Sequence, residues 1–278
     1  MKKMLPAFLA TPAALSFAAA LAVTAPVWAS TDSASTLAST TCTPTQTPTP
    51  TSTGTPTDGT QAAAVLGWGP VIAGDEFNYV GPPDPSKWKV YSGPGQNGNG
   101  IRTPSAWYVD GSVVRVTGDN CGNTGGMSAV FDRNIAPFQR IEVRMRTNAR
   151  DPQYHPVLIL WPDAAGTCSE IDYAEGTSNT ALIHFWLHYP ICGNRNTAAQ
   201  AVDTTQWHNY AVEWSRSGIR GWIDGVLWFN DTSAAAQAMT APMHQTVQLD
   251  WFPAGYTTAP QVSWMEVDWV REYAAPTQ

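Results

Sequence analysis

Three carboxylates fall within six residues in the stretch Glu170-Ile171-Asp172-Tyr173-Ala174-Glu175. Successive side chains of a β-strand point to opposite faces, so Glu170 and Asp172 share one face. Glu175 lies five positions from Glu170 and would fall on the opposite face of a regular strand. One extra residue in a β-bulge returns it to the shared face, and bulges often re-aim side chains near active sites. We therefore predict a bulged strand with three acids on one face. The alternative is a solvated acidic edge strand.

The run that follows, residues 181–189, indicates that the acidic strand is half of a hairpin. Its residues alternate between an apolar set and a polar or aromatic set, and residues 177–180 suit a turn. We predict a register that pairs His188 with Glu170 and Trp186 with Asp172, because directly opposed residues share a face. The acids would then face Trp186 and two histidines, while the aliphatic side chains enter the core.

Two cysteines, Cys168 and Cys192, fall just beyond the open end of this predicted hairpin. They lie close enough there for a disulfide, which we state as a hypothesis. Cys121 is left to pair with Cys42 or to remain unpaired.

Composition favours a β-rich secreted protein and excludes one class of partner. The 278 residues include 13 Trp but only 13% charged residues, about half the usual share. The formal net charge of −7 argues against nucleic acid, because phosphate binding needs a basic surface. No metal-binding Cys/His cluster is present in the sequence. We expect a monomer.

The first 64 residues predict export and a spacer. Lys2 and Lys3 precede an apolar run and a small-residue cleavage site at Val27-Trp28-Ala29, so residues 1–29 are predicted to be a signal peptide, with a membrane anchor as the weaker alternative. Residues 30–64 are rich in Thr, Pro and Ser and predict a disordered linker. The predicted product is secreted, extracellular and free of the membrane after cleavage, and the linker offers a route to cell-wall association.

Residues 65–274 are predicted to form a single all-β domain. Short β-like runs alternate with Gly, Pro, Asn and Asp clusters, and helical periodicity is nearly absent apart from residues 233–239. Asp224-Gly225 between two such runs is a strong hairpin signal. This pattern favours an antiparallel sandwich, and a jelly roll of two sheets matches the size.

The chain resembles glycoside hydrolase family 16, which includes laminarinases, lichenases, agarases and carrageenases. Residues 170–175 match the bulged E-x-D-x-x-E signature of that family. Further matches follow in the expected order, at Trp161-Pro162, Leu187-His188-Tyr189, residues 207–214, Ile223-Asp224-Gly225 and residues 267–273.

The resemblance implies a jelly roll of two curved sheets with substrate across the concave face, and hydrolysis of internal β-glycosidic bonds with retention. It implies that Glu170 is the nucleophile, Glu175 the general acid/base and Asp172 an assisting residue. The chemistry agrees, since a retaining glycosidase needs two carboxyl groups about 5–5.5 Å apart. We further predict that a charged Asp172 helps to raise the pKa of Glu175 by repulsion.

Other candidate residues follow from the resemblance and from residue type. His188 matches a family histidine near the carboxylates, and Trp161 and Trp251 are candidates for stacking on sugar rings, with Trp186 divided between cleft and core. Trp107 and Arg102 lie beside the Gly-rich loop and are predicted to form the cleft rim. Many family members carry a structural calcium on the convex face, and Asp268 and Glu76 match those regions; a solvated acid is the alternative for each. No cofactor is expected for catalysis.

The sequence thus predicts a secreted endo-acting hydrolase with a polysaccharide substrate, most simply a β-1,3- or mixed β-1,3/1,4-glucan. Three alternatives remain open at this point. The same site would serve a galactan or another cell-wall polysaccharide, or a transglycosylase that excludes water. A lectin-like sandwich would bind glycan without cutting it, although pure binding does not require three close acids.

Overall fold

The computed structural model describes residues 58–131 and 138–276, so the predicted signal peptide and most of the predicted linker lie outside the described residues. Within these residues the chain forms eighteen strands and two short α-helices. In chain order they are α1 (Ala62–Leu66), β1 (Val71–Asp75), β2 (Val80–Gly81), β3 (Trp88–Val90), β4 (Gly93–Pro94), β5 (Ile101–Arg102), β6 (Trp107–Asp110), β7 (Val114–Gly118), β8 (Asn123–Ala129), β9 (Gln139–Thr147), β10 (Tyr154–Pro162), β11 (Glu170–Gly176), β12 (Leu182–His188), β13 (Arg195–Ala201), β14 (His208–Ser215), β15 (Gly218–Ile223), β16 (Val226–Asp231), α2 (Ala234–Gln237), β17 (Met243–Trp251) and β18 (Ser263–Tyr273). Neither helix of this part of the chain is long and apolar enough to cross a bilayer.

The strands form two sheets in which antiparallel pairing dominates. The first, which we call the outer sheet, has the order β16-β15-β14-β9-β18-β7-β6-β2, with β1 also paired to β18. The second, the cleft sheet, has the order β13-β12-β11-β10-β17-β8-β5-β4, with β3 also paired to β8. The predicted jelly-roll sandwich is confirmed.

The core lies between the inner faces of the two sheets. Strand alternation supplies it, as in β9, where Ile141, Val143 and Met145 are buried in the core. The rings of Phe185 on β12 and Phe229 on β16 stack across the sheets with centroids 3.8 Å apart. The predicted hairpin at residues 224–225 is confirmed as the β15–β16 turn, where Asp224 and Gly225 both have positive φ, at 49° and 73°.

The N-terminal boundary differs from the prediction, because residues 58–64 belong to the folded domain rather than to the linker. Asp58 pairs with Arg144 of β9 at 2.7 Å between Oδ2 and Nη1. Helix α1 follows, and the backbone N–H groups of Ala62 and Ala63 donate to the buried Glu142 carboxylate at 2.5 and 3.2 Å. This short helix has no periodic sequence pattern of its own, because side chains of the outer sheet that are distant in sequence hold it.

The open end of the β11–β12 hairpin is closed covalently. Cys168 and Cys192 form a disulfide with their Cα atoms 5.2 Å apart, so the predicted pairing is confirmed. Cys42 lies outside the described residues. The bridge joins the segments that enter β11 and leave β12, the two strands that carry the candidate catalytic face.

Replacing Cys168 and Cys192 together by Ser should lower the free energy of unfolding by about 3 kcal/mol, because a crosslink over a separation of 24 residues restricts the unfolded chain. Urea unfolding curves without reductant will measure the loss. Each single variant should lose about as much as the double variant, since either substitution opens the bridge. A double variant as stable as the wild type would contradict this role.

Candidate active site

The three acids occupy one face of β11 because the strand is bulged. Glu170 pairs with His188, Asp172 with Trp186 and Glu175 with His184, and the register shifts between Asp172 and Glu175. A matching shift occurs against β10 on the other side of the strand. The extra residue lies within Tyr173 and Ala174, which both belong to the buried core. The predicted bulge and hairpin register are confirmed.

The opposite strand completes a polar and aromatic face. The aliphatic and aromatic side chains of β12 that alternate with this face, Ile183, Phe185 and Leu187, are fully buried in the core. His184 and Trp186 stack with ring centroids 5.2 Å apart, and the Arg195 guanidinium of β13 lies 4.9 Å from the Trp186 ring. Trp186 therefore belongs to the cleft face rather than to the core.

Glu170, Asp172 and His188 form the tightest polar cluster of this face. One side-chain nitrogen or oxygen atom from each residue lies within 4.8 Å of the other two, and His188 Nε2 is 3.6 Å from Asp172 Oδ2. Burial lowers the pKa of His188, with a smaller contribution from Arg195, so the ring stays neutral near neutral pH.

Burial favours the protonated form of the central aspartate. Asp172 is only 4% exposed, and burial raises its pKa well above the ordinary value, followed by the charges of Glu170 and Glu175. Burial also raises the pKa of Glu170, while a hydrogen bond from Asp172 works in the opposite direction. The carboxylic acid of Asp172 therefore donates to the Glu170 carboxylate. The raised pKa disfavours the charged form of Asp172 that the sequence predicts, because burial penalises an ionised carboxyl.

Glu175 is the second group that holds a proton near neutrality. Its pKa is raised to about 7, first by burial, then by the charge of Asp250 and then by that of Glu170. Repulsion from Asp172 was predicted at this position, and Asp250 was not among the predicted residues. The usable signal was the alternation in β17, where His244, Thr246, Gln248 and Asp250 are polar and the intervening Val247 and Leu249 enter the core.

A cleft of about 500 Å³ opens beside the acids along the same face. Trp161 lines it and is 45% exposed, as expected of a ring available for stacking. Arg102, Thr246, Gln248 and Lys89 line the cleft as well. Val157 and Ile159 of β10 are buried but lie outside the core cluster, which is consistent with their forming the cleft floor.

Trp251 is half-buried at the end of β17, and its Nε1 donates to Gln153 Oε1 at 3.3 Å. A Cβ at Gly122, whose φ is +81°, would lie 2.4 Å from this ring, so the ring packs against the loop before β8. Trp251 therefore supports that loop and keeps only part of its surface exposed.

The prediction that Trp107 lies on the cleft rim is wrong. Its side chain is 4% exposed and belongs to the core, because Trp107 and Val109 are the inward residues of β6 in the outer sheet. Arg102 does border the cleft, but Asp250 holds it: Arg102 Nε and Nη2 donate to Asp250 Oδ1 at 3.1 and 2.6 Å.

The two residues predicted to bind calcium do not fit a calcium site. Both oxygens of Glu76 accept hydrogen bonds from the Arg271 guanidinium at 2.7 and 2.8 Å. Asp268 Oδ2 lies 3.4 Å from Arg144 Nε. Arginine side chains thus pair with both of these carboxyls.

Known proteins resemble both this sequence and this fold. The chain is 25% identical to the keratan-sulfate endo-1,4-beta-galactosidase of Sphingobacterium multivorum over 235 residues, covering 74% of this chain and 55% of that protein. It is 24% identical to the beta-glucanase of Rhodothermus marinus over 196 residues, covering 57% of this chain and 64% of that protein. The chain thus spans less than two thirds of the length of either relative.

Among solved structures, the fold is similar to that of an immunostimulatory antigen and pseudo beta-1,3-glucanase of Mycobacterium tuberculosis. The TM-score is 0.63 at 24% identity, and the superposition covers 75% of this chain and 100% of that one. This likeness concerns the fold. Residues 123–271 match the family described as Glycosyl hydrolases family 16. Because that match covers more than half of the chain, the chain belongs to glycosyl hydrolases family 16.

Proposed function

We propose that this chain is a secreted, endo-acting, retaining glycoside hydrolase that cleaves β-glycosidic bonds in a β-1,3- or mixed β-1,3/1,4-glucan by double displacement. The observation that carries the proposal is the bulged strand β11, which places two glutamates and an intervening aspartate on one face of the cleft sheet, next to the strand that carries Trp161 of the cleft. The family membership and the 24% identity to a beta-glucanase support it.

The protonation states suit the first step. Glu170, which accepts a hydrogen bond from Asp172, attacks the anomeric carbon as a carboxylate. Glu175 gives its proton to the glycosidic oxygen as the C–O bond breaks, and a pKa of about 7 keeps that proton in place below neutrality. The products of this step are the released sugar end and a glycosyl ester on Glu170.

The second step reverses the roles. Esterification removes the charge of Glu170, which is one of the charges that raise the pKa of Glu175. Glu175 is then a carboxylate in a less negative site and accepts a proton from water. The resulting nucleophile attacks the anomeric carbon, the ester bond breaks and Glu170 returns to its carboxylate form. These steps use only side chains of this chain, so we propose no cofactor.

Export is part of the proposal. The predicted signal peptide and the disulfide between Cys168 and Cys192 both support an oxidising, extracellular destination. We propose that the secreted chain acts as a monomer on its polysaccharide.

A galactan is the second candidate substrate, and the observation that favours it is the 25% identity over 235 residues to a keratan-sulfate endo-1,4-beta-galactosidase. Transglycosylation and binding without cleavage use the same cleft. A panel of β-1,3-glucan, mixed-linkage glucan, cellulose derivative, keratan-type galactan and agarose will separate these candidates. Reducing-end release measures hydrolysis, chain-length redistribution with an added acceptor measures transfer, and affinity electrophoresis measures binding alone.

Glu175→Gln should lower kcat on the best substrate of that panel by about 10²- to 10⁴-fold, the range for loss of a general acid/base. Glu170→Gln should lower it at least as much, because no glycosyl ester can form. Initial rates and melting temperatures measure both effects. The control is Glu213→Gln, which alters a buried carboxylate paired with Arg140 and Arg220 on the outer sheet and should retain activity. Undiminished cleavage by both cleft variants would refute the proposal.

The pH profile of kcat/KM should fall on the alkaline side through about pH 7, because Glu175 must carry a proton to act as the acid. On the acid side the rate should fall as Glu170 takes up a proton, at a pH above the ordinary glutamate range because burial raises its pKa. Initial rates from pH 3 to 10 will give both limbs. A rate that stays constant to pH 9 would exclude Glu175 as the acid.

The first-formed product should carry the β configuration at its new reducing end, because two displacements at one carbon retain the starting configuration. Proton NMR spectra recorded within minutes of mixing will distinguish it from the α anomer before mutarotation. An initial α product would indicate single displacement and would remove Glu170 from the role of nucleophile.

A further inference from the structure

A fourth carboxylate, Asp250, lies on the cleft face at the end of β17. It is 3% exposed and accepts two hydrogen bonds from Arg102 on one oxygen, at 3.1 and 2.6 Å. The Arg102 guanidinium also lies over the Tyr91 ring, 5.7 Å from its centroid. The pair joins the short strand β5 at the cleft edge to the middle of the cleft sheet.

Sheet register brings Asp250 to the same face as Glu175. Glu175 pairs with Val157, and Val157 pairs with Gln248, the residue two positions before Asp250 on β17. With strands about 4.8 Å apart and a rise of about 3.3 Å per residue, the two Cα atoms are roughly 12 Å apart, and both side chains point into the cleft. Carboxylates at such a separation interact across a poorly solvated face.

The charges around Glu175 single out Asp250. His184 on β12 faces Glu175 directly, and His155 on β10 pairs with Asp250. Burial lowers the pKa of both histidines, that of His155 to about 4, so both are neutral near pH 7. For Asp172, on the same strand as Glu175, burial favours the protonated form. The charges that raise the pKa of Glu175 are those of Asp250, first, and of Glu170.

Arg102 has a separate effect on Asp250 itself. Burial raises the pKa of Asp250 above its ordinary value, and the charge and hydrogen bonds of Arg102 offset part of that rise. Without the guanidinium, a carboxyl at this depth would take up a proton and lose its influence on Glu175. The arginine thus favours the ionised form of the aspartate, and the aspartate's charge opposes ionisation of Glu175.

We propose that Asp250 is a positioning residue that keeps Glu175 in its acid form, and that Arg102 holds Asp250 in that role. The proposal rests on the proposed function for the assignment of Glu175 as the acid. It extends the catalytic machinery to a residue 75 positions away from Glu175 in the sequence.

The test is the alkaline limb of kcat/KM in Asp250→Asn. In this variant the apparent pKa of the alkaline limb should fall by about one unit, because a negative charge is lost and Arg102 is left without its partner. Arg102→Lys preserves the ion pair and should keep the wild-type value. The double variant Arg102→Gln/Asp250→Asn removes both charges and should give a smaller fall. An alkaline limb unchanged in both Asp250 variants would overturn the proposal and leave Asp250 a purely structural role.

A second readout separates this proposal from the proposed function. Carbon NMR of protein labelled at the glutamate side-chain carboxyls, with Glu175 assigned from Glu175→Gln, titrates Glu175 without substrate. The same downward shift is expected there in Asp250→Asn even if the protein cleaves nothing. Glu213→Gln is the matched control and should shift neither measurement. Melting temperatures identify unfolding, and the double variant carries the test if Asp250→Asn alone does not fold.

Discussion

The site depends on one geometric constraint, the two-residue repeat of a β-strand. With a regular repeat, Glu175 would point between the two sheets, where an unpaired carboxylate is very costly. The bulge avoids that, because two consecutive residues, Tyr173 and Ala174, are both buried in the core and Glu175 returns to the face of Glu170. Both neighbouring strands show the same register shift, so the extra residue is held from two sides. Pairing with β10 and β12 therefore fixes where the acid/base candidate points.

Burial then gives the three acids on the bulged strand different pKa values. The deepest one, Asp172, keeps its proton and serves as a hydrogen-bond donor, whereas Glu170 is helped toward ionisation by accepting that bond. Glu175 lies between these extremes because burial and two neighbouring charges act together on it. A cluster of like charges thereby becomes a set of groups with different protonation states, which is what acid and nucleophile chemistry on one face requires.

The sequence was informative where the relevant contacts are local. Alternation in residues 170–188 predicted the bulge, the hairpin register and the disulfide, because two adjacent strands joined by a short turn determine all three. The role of Asp250 was not predicted because its position relative to Glu175 depends on β10 lying between β11 and β17. Local sequence patterns do not reveal the order of strands in a sheet. Trp107 was predicted at the cleft rim because it lies close to a Gly-rich loop in the sequence. Its alternation with the exposed Tyr108 instead indicates an inward-facing residue of a strand. Helix α1 was not predicted because the residue that caps it, Glu142, lies 80 positions from Ala62 in the sequence.

The attachment of residues 58–68 to the outer sheet has a consequence for how the domain is carried. Ala62, Ala63 and Trp68 form a small cluster with Trp222 and Tyr273, separate from the main core, on the face of the sandwich turned away from the cleft. The first described residues of the domain are thus anchored on the sheet opposite the cleft sheet, so substitutions that loosen this cluster would weaken the outer sheet without touching the substrate face.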